Sequence, residues 1–475
     1  MENQRSMEEV LKLQREYYLK EGPPSYELRI DRLNRVKDMI IQNKDRIIEA
    51  LNTDFGSRSP NQSLISDVYG VLPAFTHAIK HLKSWMKDEK RNSNFPLSLM
   101  GAKSYIHREP LGVVGMISPW NFPIYLSLAP LAGIFSAGNQ VMHKPSEFTP
   151  ITSELLKEIC DGAFDETEFA TFLGGPDVGA AFTQLKFDHL LFTGSGNIGK
   201  HVMRAASENL VPVTLELGGK SPVIISDSSN IDITARRVMF NKTLNAGQIC
   251  LAPDYVYVHE TQKDNFVEAC KDHVNNFYSD LKYNPDYTSV INQKHYDRLN
   301  GLLSDAKDNG AELVEINPAD EDFSQQESHK IPPTLVLNPT DEMQIMKEEI
   351  FGPLLPIKTY KDINEPINYI NNNDKPLGLY YFGNNKNEEA KVLNSTSSGG
   401  VTVNDIMGHL QQNELGFGGV GPSGMGKYDG FDGFMNFSNN KPIYKQVGFR
   451  LEKAFNALRP PYKDSFEKVI QKLLK

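Results

Sequence analysis

Cysteine is scarce in this chain, which has only Cys160, Cys250 and Cys270 among its 475 residues. Three thiols cannot all pair, and no two of them have the short spacing of a metal-binding motif. This count excludes the disulfide framework of a small secreted domain, and we predict no metal site. A reducing compartment fits best, so we expect a cytoplasmic protein.

Long apolar runs and an excess of positive charge are also lacking. The longest apolar candidate, residues 123–135, contains Pro130 and is shorter than the roughly 20 residues that cross a bilayer. The first residues do not open the apolar segment of a signal peptide. The net charge of −10 disfavours nucleic acid as a partner. We therefore expect no integral membrane segment and no nucleic-acid partner.

The chain changes pattern near Pro110. Before that point helical patterns dominate, and residues 67–90 predict a helix with His77 and Trp85 near helical spacing. After it, short apolar strands alternate with helices, including one helix predicted through Leu126 and Ile134. A second series of strands and helices begins after residues 217–222. Such repeats indicate open parallel sheets covered by helices on both faces.

Cys250 lies in a segment of unusual composition, Asn245-Ala-Gly-Gln-Ile-Cys-Leu-Ala-Pro-Asp254. Small residues surround the thiol, so the backbone can be shaped closely around it. A free cysteine is commonly a small buried hydrophobe. The alternative is a catalytic nucleophile. The segment alone leaves both interpretations open.

A glycine-rich turn, Phe192-Thr-Gly-Ser-Gly-Asn-Ile-Gly199, follows an apolar strand and opens a helix. Such turns let backbone amides approach a pyrophosphate, but they also serve helix–strand packing alone. Glu216 lies about 20 residues beyond, where a dinucleotide-binding fold places its ribose ligand. It also ends an apolar strand beside two glycines, where a substrate can approach. Ribose ligand and catalytic base are both open for Glu216.

Six short motifs occur in one order between Pro110 and Phe437: Pro119-Trp-Asn-Phe-Pro123, Lys144-Pro-Ser-Glu147, Phe192-Thr-Gly-Ser195, Leu215-Glu-Leu-Gly-Gly-Lys220, Asn245-Ala-Gly-Gln-Ile-Cys250 and Glu349-Ile-Phe-Gly-Pro353. Together they resemble the NAD(P)-dependent aldehyde dehydrogenase superfamily. The Lys-Pro-Ser-Glu and Ala-Gly-Gln-Ile-Cys forms resemble its class-three-like branch, which handles fatty, aromatic and other apolar aldehydes. The resemblance covers most of the chain.

The resemblance implies a catalytic set of Cys250, Glu216 and Asn121. Cys250 would attack the aldehyde carbonyl, and Glu216 would be the general base rather than a ribose ligand. Asn121 and the backbone N–H of Cys250 would stabilise the oxyanion. On its residues alone, Asn121 is also a typical turn-forming asparagine between two prolines.

The resemblance also implies a set of cofactor-binding residues. Lys144 and Glu147 would hold the adenosine ribose, Glu349 the nicotinamide ribose, and the turn at Gly194 and Ser195 the pyrophosphate. The predicted set is Trp120, Lys144, Ser146, Glu147, Gly194, Ser195, Gly199, Leu217, Glu349 and Phe351. A carboxylate at Glu147 favours NAD over NADP, which stays the alternative.

The fold implied is α/β and aldehyde dehydrogenase-like. We expect a Rossmann-type open-sheet domain at 1–90 and 109–217 and an α/β catalytic domain at 218–405. A bridging, oligomerisation and substrate-entrance part would span 91–108 and 406–440, and a tail would span 441–475. The tail predicts an amphipathic helix that packs on the fold or a sister subunit, with peripheral membrane contact as the alternative. A homodimer is expected, with a tetramer as the alternative.

The activity implied is NAD(P)-dependent oxidation of an aldehyde to a carboxylic acid through a thiohemiacetal and thioester on Cys250. Fatty, aromatic and polyene (apocarotenoid) aldehydes all suit an apolar tunnel. One alternative is an enzyme that passes the acyl group to coenzyme A, against which a hydrolytic base at Glu216 argues. Another is a non-catalytic binding protein on the same fold, against which the intact catalytic set argues.

Overall fold

The computed structural model describes residues 5–95, 97–448, 459–462 and 464–474. Within these residues the α-helices are α1 (Met7–Glu21), α2 (Tyr26–Gln42), α3 (Lys44–Phe55), α4 (Pro60–Ser63), α5 (Leu72–Trp85), α6 (Pro123–Leu128), α7 (Leu131–Ala137), α8 (Pro150–Ala163), α9 (Pro176–Thr183), α10 (Gly196–Ser207), α11 (Ile231–Thr243), α12 (Lys263–Phe277), α13 (Gln293–Asp308), α14 (Gln344–Lys347), α15 (Asn364–Asn372), α16 (Lys386–Ser395), α17 (Gly430–Asn436) and α18 (Asp464–Leu473).

The strands of the same residues are β1 (Glu89–Arg91), β2 (Lys103–Pro110), β3 (Val113–Ile117), β4 (Gln140–Lys144), β5 (Phe169–Thr171), β6 (His189–Thr193), β7 (Val213–Glu216), β8 (Pro222–Ile225), β9 (Tyr255–His259), β10 (Glu312–Glu315), β11 (Thr334–Leu337), β12 (Leu354–Tyr360), β13 (Gly378–Phe382), β14 (Gly400–Val403), β15 (Gly424–Met425) and β16 (Ser438–Lys445).

Two open sheets dominate the fold. The first has the order β15-β7-β6-β3-β4-β5 and is parallel except for β15. The second has the order β10-β11-β12-β9-β8-β13-β14 and is parallel except for β10. Their central strands are buried on both faces, as the sheets' helical cover requires. The α/β fold with open parallel sheets is as predicted.

A third, antiparallel sheet joins β1, β2 and β16. Strands β2 and β16 pair over eight residues each, from Lys103 opposite Lys445 to Pro110 opposite Ser438. The strands of the first sheet fall within residues 113–216 and 424–425, and those of the second within 222–403. Strand β16 crosses residue 441, where the division expected from sequence begins the tail.

The helical expectations hold in outline and differ in two places. The predicted helix at 67–90 forms as α5 over Leu72–Trp85, after a π-turn and a 3₁₀ turn. The single helix predicted through Leu126 and Ile134 is wrong, because the chain forms α6 and α7 with Pro130 between them. Proline lacks the N–H that would continue the hydrogen-bond ladder.

The predicted amphipathic helix of the tail forms as α18. Phe466 on this helix contacts Tyr462, with ring centroids 4.7 Å apart. Across the described ranges, no helix combines the length and apolar character needed to cross a membrane.

Candidate active site

A cavity of about 680 Å³ lies where the two large sheets approach each other. The carboxyl ends of the first sheet's strands reach it, because Thr193 and Glu216 are paired at the ends of β6 and β7. The amino ends of the second sheet's strands supply its other wall, since Cys250 precedes β9 and Glu349 precedes β12. The predicted residues that line this cavity are Trp120, Asn121, Gly194, Ser195, Gly199, Glu216, Leu217, Cys250, Glu349 and Phe351.

Cys250 follows a strained loop. Asn245, Ala246 and Gly247 have φ of 51°, 50° and 71°, a left-handed conformation that costs non-glycine residues energy. Gly247 is required there for a second reason. A Cβ on it would lie 2.3 Å from the carbonyl oxygen of Gly352. The loop therefore passes close to the segment after Glu349, at the cavity wall.

Gln248 holds this loop in place with its fully buried side chain. Its amide nitrogen donates to the carbonyl oxygens of Asn245 (2.9 Å) and Ser289 (3.0 Å). Its amide oxygen accepts from the backbone N–H of Ile291 at 3.0 Å. These bonds satisfy a buried polar group and offset the loop's strain. Gln248 belongs to the quoted cysteine motif, but these hydrogen bonds were not predicted.

Cys250 itself is half-buried, whereas Cys160 and Cys270 are fully buried. Burial raises the pKa of the Cys250 thiol to about 12, and the carboxyls of Glu349 and Glu216 add to the rise. The thiol therefore needs a base or a nearby positive charge before it becomes the reactive thiolate. Of the two predicted interpretations, the cavity favours a nucleophile over a packing residue.

Asn121 lies in the loop after β3, and a buried ion pair holds its backbone in place. Arg58 donates to the backbone carbonyl of Asn121 at 2.8 Å and to the carboxylate of Asp67 at 2.6 Å. Asp67 in turn accepts from the backbone N–H groups of Ile124 and Tyr125. Arg58 and Asp67 were missed by the sequence reasoning, because they lie in the helical region that carries no motif.

The side chain of Asn121 reaches the cysteine loop directly. It is buried, and its amide nitrogen donates to the carbonyl oxygen of Gln248 at 3.1 Å. Asn245 donates back to the carbonyl oxygen of Asn121 at 3.0 Å. Because an amide nitrogen carries two hydrogens, Asn121 keeps one donor besides the bond to Gln248. A neutral donor fixed beside the thiol of Cys250 is suited to an oxyanion.

Glu216 is the last residue of β7 and is almost fully buried. No side chain of the described residues forms a hydrogen bond with either of its carboxyl oxygens, and the backbone N–H of Gly419 only partly offsets the cost of burying them. Burial raises the pKa of Glu216 well above its usual value, and the carboxyl of Asp429 adds to this. A strongly perturbed carboxyl in a cavity with a thiol is a candidate general base.

Residues far from Glu216 in the sequence, between 418 and 429, pack over its carboxyl. Gly424 of β15 is paired with Glu216, and a Cβ on Gly418 would lie 3.0 Å from a Glu216 carboxyl oxygen. Asp429 has a φ of 80° and a pKa raised to about 7 by burial. The approach of Asp429 to Glu216 was not predicted from the sequence.

Glu349 is fixed at the other end of the cavity by its neighbours. Arg298 donates to the carbonyl oxygens of Glu349 (3.3 Å) and Ile350 (2.5 Å). Lys220 forms an ion pair with Asp254 and donates to the carbonyl oxygen of Glu348 at 2.8 Å. These bonds define the backbone of the Glu-Ile-Phe motif, and Arg298 was missed because no motif contains it.

The carboxyl of Glu349 is half-buried against Gly218. A Cβ on Gly218 would lie 2.1 Å from one carboxyl oxygen, and the other oxygen has no hydrogen-bond partner among the described residues. Burial raises the pKa of Glu349 to about 8. An unpaired acceptor at the wall of an open cavity is suited to a ligand hydroxyl.

Two aromatic residues of the predicted set, Trp120 and Phe351, pack edge to face with ring centroids 5.4 Å apart. Phe351 has a φ of 49°, a left-handed conformation that is strained for an aromatic residue. His295 also packs against Trp120, with ring centroids 5.2 Å apart. His295 also lines the cavity and was not predicted.

The glycine-rich turn opens α10 beside the cavity. The N–H of Gly194 donates to the carbonyl oxygen of Glu216 at 3.0 Å, and Ser195 caps the helix by accepting from Ile198. A Cβ on Gly196 would meet nothing, whereas one on Gly199 would lie 2.7 Å from the side chain of Leu217. Gly199 therefore serves helix–strand packing, which is one of the two interpretations left open for the glycine-rich turn.

Lys144, Ser146 and Glu147 lie together at the carboxyl end of β4, next to the strand that leads to Asn121. Lys144 is buried and donates to the carboxylate of Glu147 at 2.7 Å. Ser146 accepts from the N–H of Phe148 at 3.2 Å. These three residues do not line the cavity that holds Cys250, so they mark an adjoining position at the same sheet edge.

These features fit a dinucleotide. The N-terminus of α10 offers backbone N–H groups to an anion, and the open space at Gly196 admits one. The unpaired oxygen of Glu349 and the exposed carboxylate of Glu147 are acceptors for hydroxyl groups. The crevice also lies at the carboxyl ends of parallel strands, the usual position for such ligands.

Comparisons with known proteins agree with this geometry. The sequence model of the aldehyde dehydrogenase family matches residues 23–443. A probable coniferyl aldehyde dehydrogenase of Caulobacter vibrioides is 53% identical over 98% of this chain and 96% of its own length. The coniferyl aldehyde dehydrogenase of a Pseudomonas species is 49% identical over 96% of this chain and 94% of its own length.

Solved structures agree as well. The substrate-bound structure of Staphylococcus aureus AldH has a TM-score of 0.92 and 37% identity, covering 99% of this chain and all of that one. A betaine aldehyde dehydrogenase of the same organism, solved in complex with NAD+, has a TM-score of 0.82 and 25% identity. That match covers 92% of this chain and 86% of the other.

Proposed function

Because this chain belongs to the aldehyde dehydrogenase family and is an NAD(P)-dependent oxidoreductase that oxidises aldehydes, we propose that its substrates are apolar aromatic aldehydes of the coniferyl type. The carboxylic acid forms through a thiohemiacetal and a thioester on Cys250. The observation that supports this most is a single cavity lined by Cys250, Asn121 and Glu216. Family membership with these residues intact also argues against a non-catalytic protein.

Cys250 attacks the aldehyde carbon, so a carbon–sulfur bond forms and the carbonyl oxygen becomes an oxyanion. With a thiol pKa of about 12, the proton passes to solvent water that reaches the half-buried thiol, and Glu216 stays free for the later hydrolysis. The free amide hydrogen of Asn121 and the backbone N–H of Cys250 donate to the oxyanion. Both donors are held before the reaction begins, so no reorganisation is needed.

Lys144 and Glu147 would hold one ribose of the cofactor, the N-terminus of α10 its pyrophosphate and Glu349 its other ribose. Its oxidised nicotinamide, when bound, supplies the acceptor for the hydride that leaves the substrate carbon. The exposed carboxylate of Glu147 repels a ribose phosphate and favours NAD. Trp120 and Phe351 shape the cavity wall beside Glu349 and exclude water.

Glu216 then removes a proton from water, and the water oxygen attacks the thioester carbon. The carbon–sulfur bond breaks, the acid leaves, and the thiolate of Cys250 is restored. A carboxyl whose pKa is raised well above 4.5 is a stronger base than an ordinary glutamate once it is ionised. This role for Glu216 disfavours transfer of the acyl group to coenzyme A.

The substrate preference is supported by the apolar part of the cavity. Leu126, Phe417 and Tyr428 line it, and Tyr428 and Phe417 pack edge to face at 5.5 Å. Flat aromatic walls suit a flat conjugated aldehyde. Fatty and polyene aldehydes are the competitors.

The test is formation of NADH with coniferyl aldehyde, decanal and a polyene aldehyde, with the product analysed in the presence and absence of coenzyme A. We expect the highest kcat/KM for coniferyl aldehyde and a free acid in both cases. Cys250→Ala should abolish NADH formation, whereas Cys270→Ala, at a fully buried thiol, should keep it. Turnover in Cys250→Ala or an acyl-coenzyme A product would overturn the mechanism. A preference for decanal would overturn the proposed substrate class.

The division into a dinucleotide-binding part (1–90 and 109–217), a catalytic part (218–405), a bridging part (91–108 and 406–440) and a tail (441–475) is also our proposal. The distribution of the two large sheets supports it. The homodimer, and the cytoplasmic location favoured by the cysteine count, remain predictions.

A further inference from the structure

Two histidines outside the catalytic cavity lie on the same face of α5. His77 and His81 are one helical turn apart, and their ring centroids are 4.5 Å apart. The spacing of three intervening residues is one that places two imidazoles on a single metal ion. In the sequence, His77 is only one member of a helical pattern, and no metal site was predicted.

A carboxylate from distant sequence completes the cluster. A carboxyl oxygen of Glu414 lies 3.4 Å from Nε2 of His77, and one ligand atom from each of the three residues lies within 4.8 Å of the others. Tetrahedral coordination of Zn²⁺ separates ligand atoms by about 3.3–3.5 Å. The pair His77–Glu414 already has this separation, and the ligand atom of His81 lies within 4.8 Å of both.

The surroundings favour metal binding by His77. Its ring is mostly buried beside Trp85, at a centroid distance of 5.6 Å, and Trp85 also stacks on His81 at 6.1 Å. Packing of this kind limits the orientations of both rings. Burial lowers the pKa of His77, which keeps the imidazole in the neutral form that binds metals.

We propose that His77, His81 and Glu414 bind one divalent transition-metal ion, of which Zn²⁺ and Ni²⁺ suit this donor set. Two imidazoles and one carboxylate leave a coordination position for water. This proposal is independent of the substrate and mechanism proposed for the catalytic cavity.

The ion would fasten the segment that carries Glu414 to α5. Asn413 already lies against the start of α17, since a Cβ on Gly430 would lie 2.1 Å from its carbonyl oxygen. Phe417, three residues after Glu414, pairs through its backbone with Tyr428 and lines the catalytic cavity. The metal site would thus stabilise one wall of that cavity from outside.

Calorimetric titration of Zn²⁺ into the tag-free full chain carrying Cys250→Ser tests the site, because that substitution removes the accessible thiol. We expect one ion per chain, with the Kd raised about tenfold or more by His81→Gln and by Glu414→Gln. His273→Gln is the matched control. His273 is also helical and paired with a carboxylate, Asp232, at 2.9 Å, and its variant should bind as tightly as the parent.

Absence of saturable binding, or equal weakening by His81→Gln and His273→Gln, would overturn the site. Glu414 is well exposed, so its variant is expected to fold even where a histidine variant does not. Hydrogen exchange of the amides at 411–416 should slow with saturating Zn²⁺. Unchanged exchange there would overturn the fastening of this segment.

Discussion

Glu216 ends a regular strand at the carboxyl edge of the first sheet, whereas Cys250 lies on an irregular loop at the amino edge of the second. Ladder pairing with Thr193 and Gly424 positions Glu216 from both sides. Cys250 instead follows three residues in left-handed conformations that are braced by the side chain of Gln248. The sheet positions Glu216, the proposed base, whereas side-chain bonds to a strained backbone position Cys250, the proposed nucleophile.

Because of this difference, the two positions should respond differently to substitutions of neighbouring residues. Backbone ladders survive substitution of individual side chains, so changes near Glu216 should act through its chemistry alone. A strained loop needs its surroundings to over-determine it, so losing one brace displaces the nucleophile. Substitutions on the two sides should therefore separate into chemical and positional effects.

The largest effect among these tests is expected for Glu216→Gln, which keeps size and removes the base. Steady-state turnover should fall about 10³-fold, because general-base catalysis typically contributes 10²–10⁴. The first turnover should survive as a burst of NADH near one per active site, because acylation precedes hydrolysis. Stopped-flow absorbance measures both phases.

The pH profile serves as the control for this substitution. Because the pKa of Glu216 is raised, its carboxylate forms only as the pH rises through that raised value. Wild-type hydrolysis should therefore increase with pH over this range, and the residual rate of the variant should lack the increase. Steady turnover at the wild-type rate in Glu216→Gln would refute the assignment of the base.

Asn121→Ala should lower the burst rate by about 10²-fold, the usual effect of losing one oxyanion donor. Its backbone carbonyl keeps the bonds from Arg58 and Asn245, so the loop should stay folded. Asn121→Asp keeps the size but replaces the donor by an acceptor, and should be at least as slow. A burst rate within threefold of wild type in both variants would exclude Asn121 as a donor.

Gln248→Ala should have the smallest catalytic effect, lowering kcat about tenfold, because Cys250 loses its placement but not its chemistry. Unpaired buried groups should also lower the unfolding free energy by about 1–3 kcal/mol. Ser195→Ala, on the strand side, is the contrast. It removes a helix cap worth about 1 kcal/mol and should raise the cofactor KM a few-fold with little change in kcat.

Equal losses of kcat in Gln248→Ala and Ser195→Ala would contradict the expectation that the strained loop before Cys250 is more sensitive to substitution than the first sheet's side of the site. Calorimetric melting of both variants distinguishes displacement of the cysteine from general unfolding. A lower kcat for Gln248→Ala than for Ser195→Ala, at a temperature where both variants are folded, would support displacement of the cysteine.

Much of the site was predictable from the sequence, because its residues stand in contiguous motifs that match a known family. Those motifs account for Cys250, Glu216, Asn121 and the glycine turn. Arg58 and Arg298 were not predictable, because each supports a motif from a separate segment by bonding to backbone carbonyls. Every residue has a backbone carbonyl, so such a bond does not depend on the residue type of its acceptor. It therefore leaves no recognisable pattern in either segment of the sequence.

By itself the sequence determined the family, the α/β alternation and the residues proposed to carry the chemistry, since periodicity and short motifs are local properties. Only the tertiary structure decided how far those residues are buried and which distant groups meet. The raised pKa of Glu216 depends on the cover by Gly424 and Asp429, and the cluster of His77, His81 and Glu414 depends on a loop folding onto α5. Desolvation and long-range contacts arise from packing, which no single stretch of the chain specifies.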